Sequence, residues 1–190
     1  MAFTLIELMI TLALIAVLSV MLYGFGSASH QRTQKQYCAD NLQKIFLAEQ
    51  VYVVDFGRFP QTNAETSDQV LDLLVPKYSV DTSIFICPGG RDSQLAAGRS
   101  IRGHRISYAY YMGRPTNAPQ DLLMSDRQVN TLSKNVGDPV FSLNGKSPGN
   151  NHHKYGGNFL SCDGSVLPSP AVATFSLAFS NGIVLLNPKP

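Results

Sequence analysis

The sequence predicts an α+β fold in which one long N-terminal helix packs on a small antiparallel β-sheet. Three observations carry this reading. Residues 3–25, FTLIELMITLALIAVLSVMLYGF, are an apolar run with a single formal charge, Glu7. A helical apolar period then returns in Cys38, Leu42, Ile45, Phe46, Glu49, Tyr52 and Val53. Beyond Gly57 the chain turns rich in Gly and Pro, with short apolar runs between turn residues, the pattern of a loop-rich β domain.

The first run sets the character of the chain. About 20 apolar residues at about 1.5 Å each match the roughly 30 Å of a bilayer's hydrocarbon core, so residues 3–25 read as a membrane helix. The run lacks a basic flank and a small-residue cleavage site, which separates it from a cleaved secretory signal. Thr11 and Ser19 can bond carbonyls of the preceding turn without breaking the helix. Glu7 is the exception, because an ionised carboxylate costs about 2.5 kcal/mol or more at the bilayer centre. It needs either an interface or a partner. Gly24 and Gly26 each weaken the helix by about 1 kcal/mol relative to Ala and mark a bend between its apolar and polar halves.

From Ser27 the composition becomes polar, and spacings of three and four then place the apolar positions up to Val53 on one face, as a helix lying on a sheet requires. The two halves join into one helix from about Phe3 to about Val54. Gly57 supplies a left-handed cap and Pro60 prevents resumption. The domains are accordingly 1–26, a hydrophobic anchor; 27–56, the amphipathic half of the same helix; and 57–190, a loop-rich β domain.

Within that domain, residues 69–74 read as a short helix ended by Pro76. Ile84, Phe85 and Ile86 read as a short strand running into the turn Cys87-Pro88-Gly89-Gly90. Residues 106–111 and 122–124 read as strands, and residues 129–151 as an irregular excursion. Asn158 to Cys162 and Ser165 to Leu167 read as two strands joined by Asp163-Gly164 in a two-residue type I′ turn. The C-terminal run through Phe175, Leu177 and Phe179 reads as a strand that turns at Asn181-Gly182 into Ile183 to Leu186, with Pro188 and Pro190 blunting the edge.

Bulk properties narrow the function. Charged residues make up 15% of the 190-residue chain and the net charge is +2, which does not mark a dedicated nucleic-acid binder. Arg91, Arg99, Arg102, His104 and Arg105 make a basic loop, but no aromatic residues alternate with them to stack bases. Nucleic acid is thus a secondary candidate partner for the Arg91 to Arg105 loop, with a solvated loop as the simpler assignment. The three cysteines, Cys38, Cys87 and Cys162, leave three pairings open for one disulfide and one free thiol, and pairings that include Cys87 are favoured.

Phe3-Thr4-Leu5-Ile6-Glu7-Leu8-Met9-Ile10, followed by a long apolar run, resembles the start of a mature type IV pilin or type II secretion major pseudopilin. The stretch CADNLQKIFLAEQVYVVDFGRFP is similar to the helix end of major pseudopilins. The resemblance implies a pilin-like fold, cleavage by a prepilin peptidase before Phe3, N-methylation of Phe3, a helix able to melt at Gly24 and Gly26, and pairing of Glu7 with the N-terminal amine of a neighbouring subunit. Only Met1 and Ala2 precede Phe3 here. It also implies an inner-membrane subunit that an assembly platform extrudes into an extracellular or periplasmic filament, as a homopolymer through its N-terminal helices. A minor or competence pseudopilin that binds cargo or DNA is the alternative within the family. A membrane-tethered extracytoplasmic binding or enzymatic domain is the alternative from another class.

A second signal lies near the C-terminus. His153, nine intervening residues, then Asp163-Gly164 resembles a signature of a large group of pseudopilin-like proteins. A structural His153 bracing the Asp-Gly hairpin is the expected role. Asp126, His153 and Asp163 are the metal candidates, and the resemblance to major pseudopilins brings calcium forward. Calcium wants six to eight oxygens, however, and the carboxylates here are scattered. The expectation is no cofactor. No GxSxG, no Walker loop and no telling pair of carboxylates appears, so the reading is not an enzyme.

Overall fold

A computed structural model describes residues 4–90, 92–179 and 182–190, with the side chains of residues 22–28 outside that description. Helix α1, Leu5–Phe56, is 52 residues long and continues through Gly24 and Gly26. It ends where Gly57 adopts φ 69° and donates its N–H to Val53 O. A side chain is disfavoured in that left-handed conformation, which is why glycine stops the helix there. Helix α2, Ser67–Leu71, runs directly into a 3-10 turn, Asp72–Leu74.

Among the described residues five strands follow: β1 Tyr108–Met112, β2 Leu122–Asp126, β3 Gly157–Ser161, β4 Val166–Ser169 and β5 Val184–Leu186. They form one sheet in the order β4-β3-β2-β1-β5, every neighbouring pair antiparallel. Alternation along β1 sends Tyr108 and Tyr110 to the helix side and Ala109 and Tyr111 to the other. A register shift in β2 between Leu122 and Met124 breaks the alternation, so Leu123 and Met124 both join the helix-side core.

That core is built from one face of the second half of α1. Cys38, Leu42, Ile45 and Tyr52 are buried there with Phe85, Ile101, Leu160 and Leu186. The opposite face of the sheet is covered by coil, with Val140, Phe141, Ala173 and Leu177 packed on Tyr111, Phe159 and Leu185.

Three readings of the sequence are corrected. Residues 84–86 are not a strand: Thr82–Phe85 is a 3-10 helix, started by Asp81, whose side chain accepts from Ser83 N–H. The Asp163-Gly164 turn is not a two-residue type I′ turn. Gly164 N–H donates to Ser161 O and Ser161 N–H to Ser165 O, which makes a three-residue loop. Only its Gly164 has positive φ, 86°, whereas type I′ needs both central residues there. Residues 171–179 form no strand, and their ladder pairing is limited to the isolated bridges Pro139↔Val172 and Lys134↔Leu177. They lie across the outer face of the sheet as its cover, where apolar alternation serves packing instead of a ladder. The expected turn at Asn181 lies outside the described residues, and β5 pairs with β1.

Candidate functional site

Two parts of the chain concentrate chemistry, the start of α1 and a buried polar centre beneath its second half. At the start, Glu7 N–H donates to Thr4 Oγ1 at 3.4 Å, while Glu7 Oε2 accepts from Thr4 N–H at 2.9 Å and Thr4 Oγ1 at 2.8 Å. This reciprocal capping box satisfies two donors that a helix start leaves open. Phe3, the expected methylation site, lies outside the described residues. Thr11 and Ser19 hydroxyls donate to Leu8 O and Ile15 O, so neither presents an open polar group.

The apolar side chains that follow are exposed on every side. Leu5 is 77% exposed, Ile10 55%, Leu14 58% and Val20 75%, and no face of this stretch rests on the β domain. A helix apolar all round is stable only when lipid or other helices cover it. Among the described residues, no helix is long and apolar enough to cross a membrane. Of the 3–25 run, Phe3 lies outside the described residues, as do the side chains of residues 22–25.

The buried centre gathers around Asp126, the last residue of β2. Its Oδ2 accepts from Asn158 N–H at 2.7 Å, Asn158 Nδ2 at 3.0 Å and His152 Nε2 at 3.2 Å, and its Oδ1 accepts from Asn151 Nδ2 at 3.0 Å. Burial alone would raise this carboxyl, but the charge of His152 and these hydrogen bonds hold it below the usual carboxylate range. His152 is fully buried, and its Nε2 also lies 3.8 Å from Cys87 Sγ. Cys87 is joined to Cys38 of α1 in a disulfide, one of the three pairings left open. Cys162 is the free thiol, pushed up to about 12 chiefly by burial, a state far from a reactive thiolate.

The structure separates the residues singled out from sequence. His153 does not brace the hairpin: it adopts φ 56°, and its ring packs over Gly145 in the preceding excursion. Asp163 lies in an exposed turn and accepts from Ser165 N–H. The hairpin is held instead by Cys162 N–H to Asp121 O, Asp163 N–H to Pro119 O, and the contact of Gly164 with Phe46 of α1. Of the metal candidates Asp126, His153 and Asp163, only Asp126 belongs to a cluster of donors, with Cys38, Cys87 and His152. The sequence already offers His152 beside His153 as a residue able to converge on Asp126, whereas Asn151 and Asn158 are not legible as partners, because they meet Asp126 only once the excursion folds back on β2.

In the basic loop, Arg99, Arg102, His104 and Arg105 are exposed, and Arg91 is outside the described residues. Arg105 pairs with Asp92 at 3.1 Å, and Asp92 also meets the buried Arg127 at 3.4 Å. Part of the loop's charge is thus turned inward onto its own carboxylate, and the loop backbone is tied down where Gly103 N–H donates to Asp68 Oδ2.

Residues 2–23 match the prokaryotic N-terminal methylation motif. The match supports a type IV pilin-like protein, and that class is structural, not enzymatic. Comparison with curated proteins gives no match. Comparison with solved structures gives none either. The pilin-like reading therefore stands on the motif and on the long helix packed against an antiparallel sheet.

Proposed function

We propose that the chain is a structural subunit of an extracellular type IV pilus or pseudopilus, assembled through its N-terminal hydrophobic helix. The observation that supports this most is the stem of α1, whose apolar side chains from Leu5 to Met21 are exposed on all sides while the second half of the helix is packed. Such a surface needs a covering. Lipid covers it before assembly, and the stems of other subunits cover it in the filament. A prepilin peptidase cuts before Phe3 and methylates its amine, and Glu7 then pairs with the amine of a neighbouring copy. The β domain forms the outer surface.

Electron microscopy of filaments sheared from native cells, with peptide mass spectrometry of their subunits, tests this. Filaments of this chain beginning at methylated Phe3 are expected. Recovery of the chain from membranes alone, with an uncut N-terminus, would favour a tethered domain.

A further inference from the structure

Four side chains from distant parts of the sequence bring ligating atoms to one point under α1. Cys38, Cys87, Asp126 and His152 are all buried, and their sulfur, oxygen and nitrogen donors all lie within 4.8 Å of one another. In a tetrahedral zinc site, bonds of about 2.0–2.3 Å put neighbouring ligand atoms about 3.3–3.8 Å apart. Two of the edges have near that length already: Cys87 Sγ to His152 Nε2 is 3.8 Å and His152 Nε2 to Asp126 Oδ2 is 3.2 Å. The disulfide is the element that closes the site, since bonded sulfurs are not thiolates.

We propose that, when the Cys38–Cys87 disulfide is reduced, these four residues bind one zinc ion through two thiolates, one imidazole and one carboxylate. A dithiol delivers two electrons to the disulfide, leaves two protein thiols, and itself becomes a disulfide. Zinc then takes the place of the two thiol protons and of the proton on His152 Nε2, all three of which are released, while Nδ1 keeps its proton and Nε2 ligates. The second layer is in place, because Asn151 and Asn158 donate to the Asp126 carboxylate and fix its orientation. Two thiolates with an imidazole favour zinc over calcium or magnesium, which want oxygen ligands. The disulfide and the metal thereby become two ways of tying α1 to the β domain at one point. A chain leaving the membrane with reduced cysteines has the second way open to it. This inference stands independently of filament assembly.

The test uses the full chain in detergent micelles, reduced with a dithiol, freed of it under anaerobic conditions, and titrated with zinc against a chromophoric chelator. One zinc per reduced chain and none per oxidised chain is expected. Cobalt in its place should give the thiolate charge-transfer and tetrahedral bands of a two-sulfur site. His152→Ala should weaken zinc by at least about 10–100-fold, and Cys162→Ser should change nothing. No stoichiometric uptake by the reduced chain, equal uptake by the oxidised chain, or undiminished uptake by the Cys38→Ser/Cys87→Ser double variant would each overturn the site. If His152→Ala fails to fold, the cobalt spectrum of the unaltered chain still decides: bands without thiolate character count against it.

Discussion

His152 Nε2 lies 3.2 Å from Asp126 Oδ2, at a place where neither side chain reaches solvent. The pair connects the excursion before β3 to the end of β2, and the carboxylate collects the donors of Asn151 and Asn158 as well. Removing it strands all of these donors at once. Breaking a buried pair by deleting one partner costs about 3–5 kcal/mol, because the remaining groups cannot find water.

Asp126→Ala should therefore lower stability by about that amount at neutral pH, read from urea denaturation of the full chain in micelles. The carboxyl titrates lower in the folded state than its unfolded value of about 3.9. Its contribution is then complete above that unfolded value and is lost as pH falls through the folded one. The gap between the variant and the parent should narrow at the acid end. A gap under about 1 kcal/mol at neutral pH, or one that does not narrow in acid, contradicts the assignment.

Gly164 is needed twice, for its φ of 86° and because a Cβ there would stand 2.5 Å from Phe46 Cε1. Gly164→Ala should cost about 1–3 kcal/mol from backbone strain plus overpacking. Phe46→Ala placed in the same chain should remove the overpacking share and leave the strain. Melting curves of the single variants and the double variant measure this, and strictly additive losses would show that the two residues do not meet.

The same pair shows what the sequence revealed and what it withheld. The spacing of Cys38, Leu42, Ile45 and Tyr52 was enough to place a helix on a sheet, because a 3.6-residue period admits one buried face. Asp163-Gly164 announces a hairpin without fixing its loop length, since Asp-Gly suits a bulged three-residue loop as well as a type I′ turn. The site was less legible. His152 and His153 are adjacent, and only the path of the excursion decides which one turns inward. Asp126 follows an apolar run and reads as a strand end. Its burial depends on contacts with Asn151 and Asn158, dozens of residues away. Cys38 and Cys87 are 49 residues apart, a separation that no local spacing rule ties to metal or to disulfide.

Glu49 sits fully buried on the packed half of α1, and neither carboxylate oxygen has a partner among the described residues. Burial raises its carboxyl well above the usual range. The sign is opposite to that of Asp126. Stability is complete below the unfolded value of about 4.3 and declines as pH rises from there to the folded value, by at most about 1.4 kcal/mol per pH unit. Glu49→Gln removes this slope, so its advantage over the parent should grow from acid to neutral pH. Parallel stability profiles for the two chains would show that the carboxyl does not titrate as its burial requires.

Glu7 separates charge from capping. In the isolated chain its carboxylate is occupied by Thr4 N–H and Oγ1, which serve the helix start. A glutamine keeps that capping geometry but carries no charge, whereas an alanine loses both. If Glu7 pairs with a neighbour's amine in the filament, Glu7→Gln and Glu7→Ala should both reduce the yield of sheared filaments strongly, with the protein still present in membranes. If capping alone matters, Glu7→Gln should assemble normally and only Glu7→Ala should fail. Filament mass per unit of membrane-bound subunit, compared among the parent and both variants, distinguishes the two roles. Normal yield from Glu7→Ala would remove Glu7 from assembly altogether.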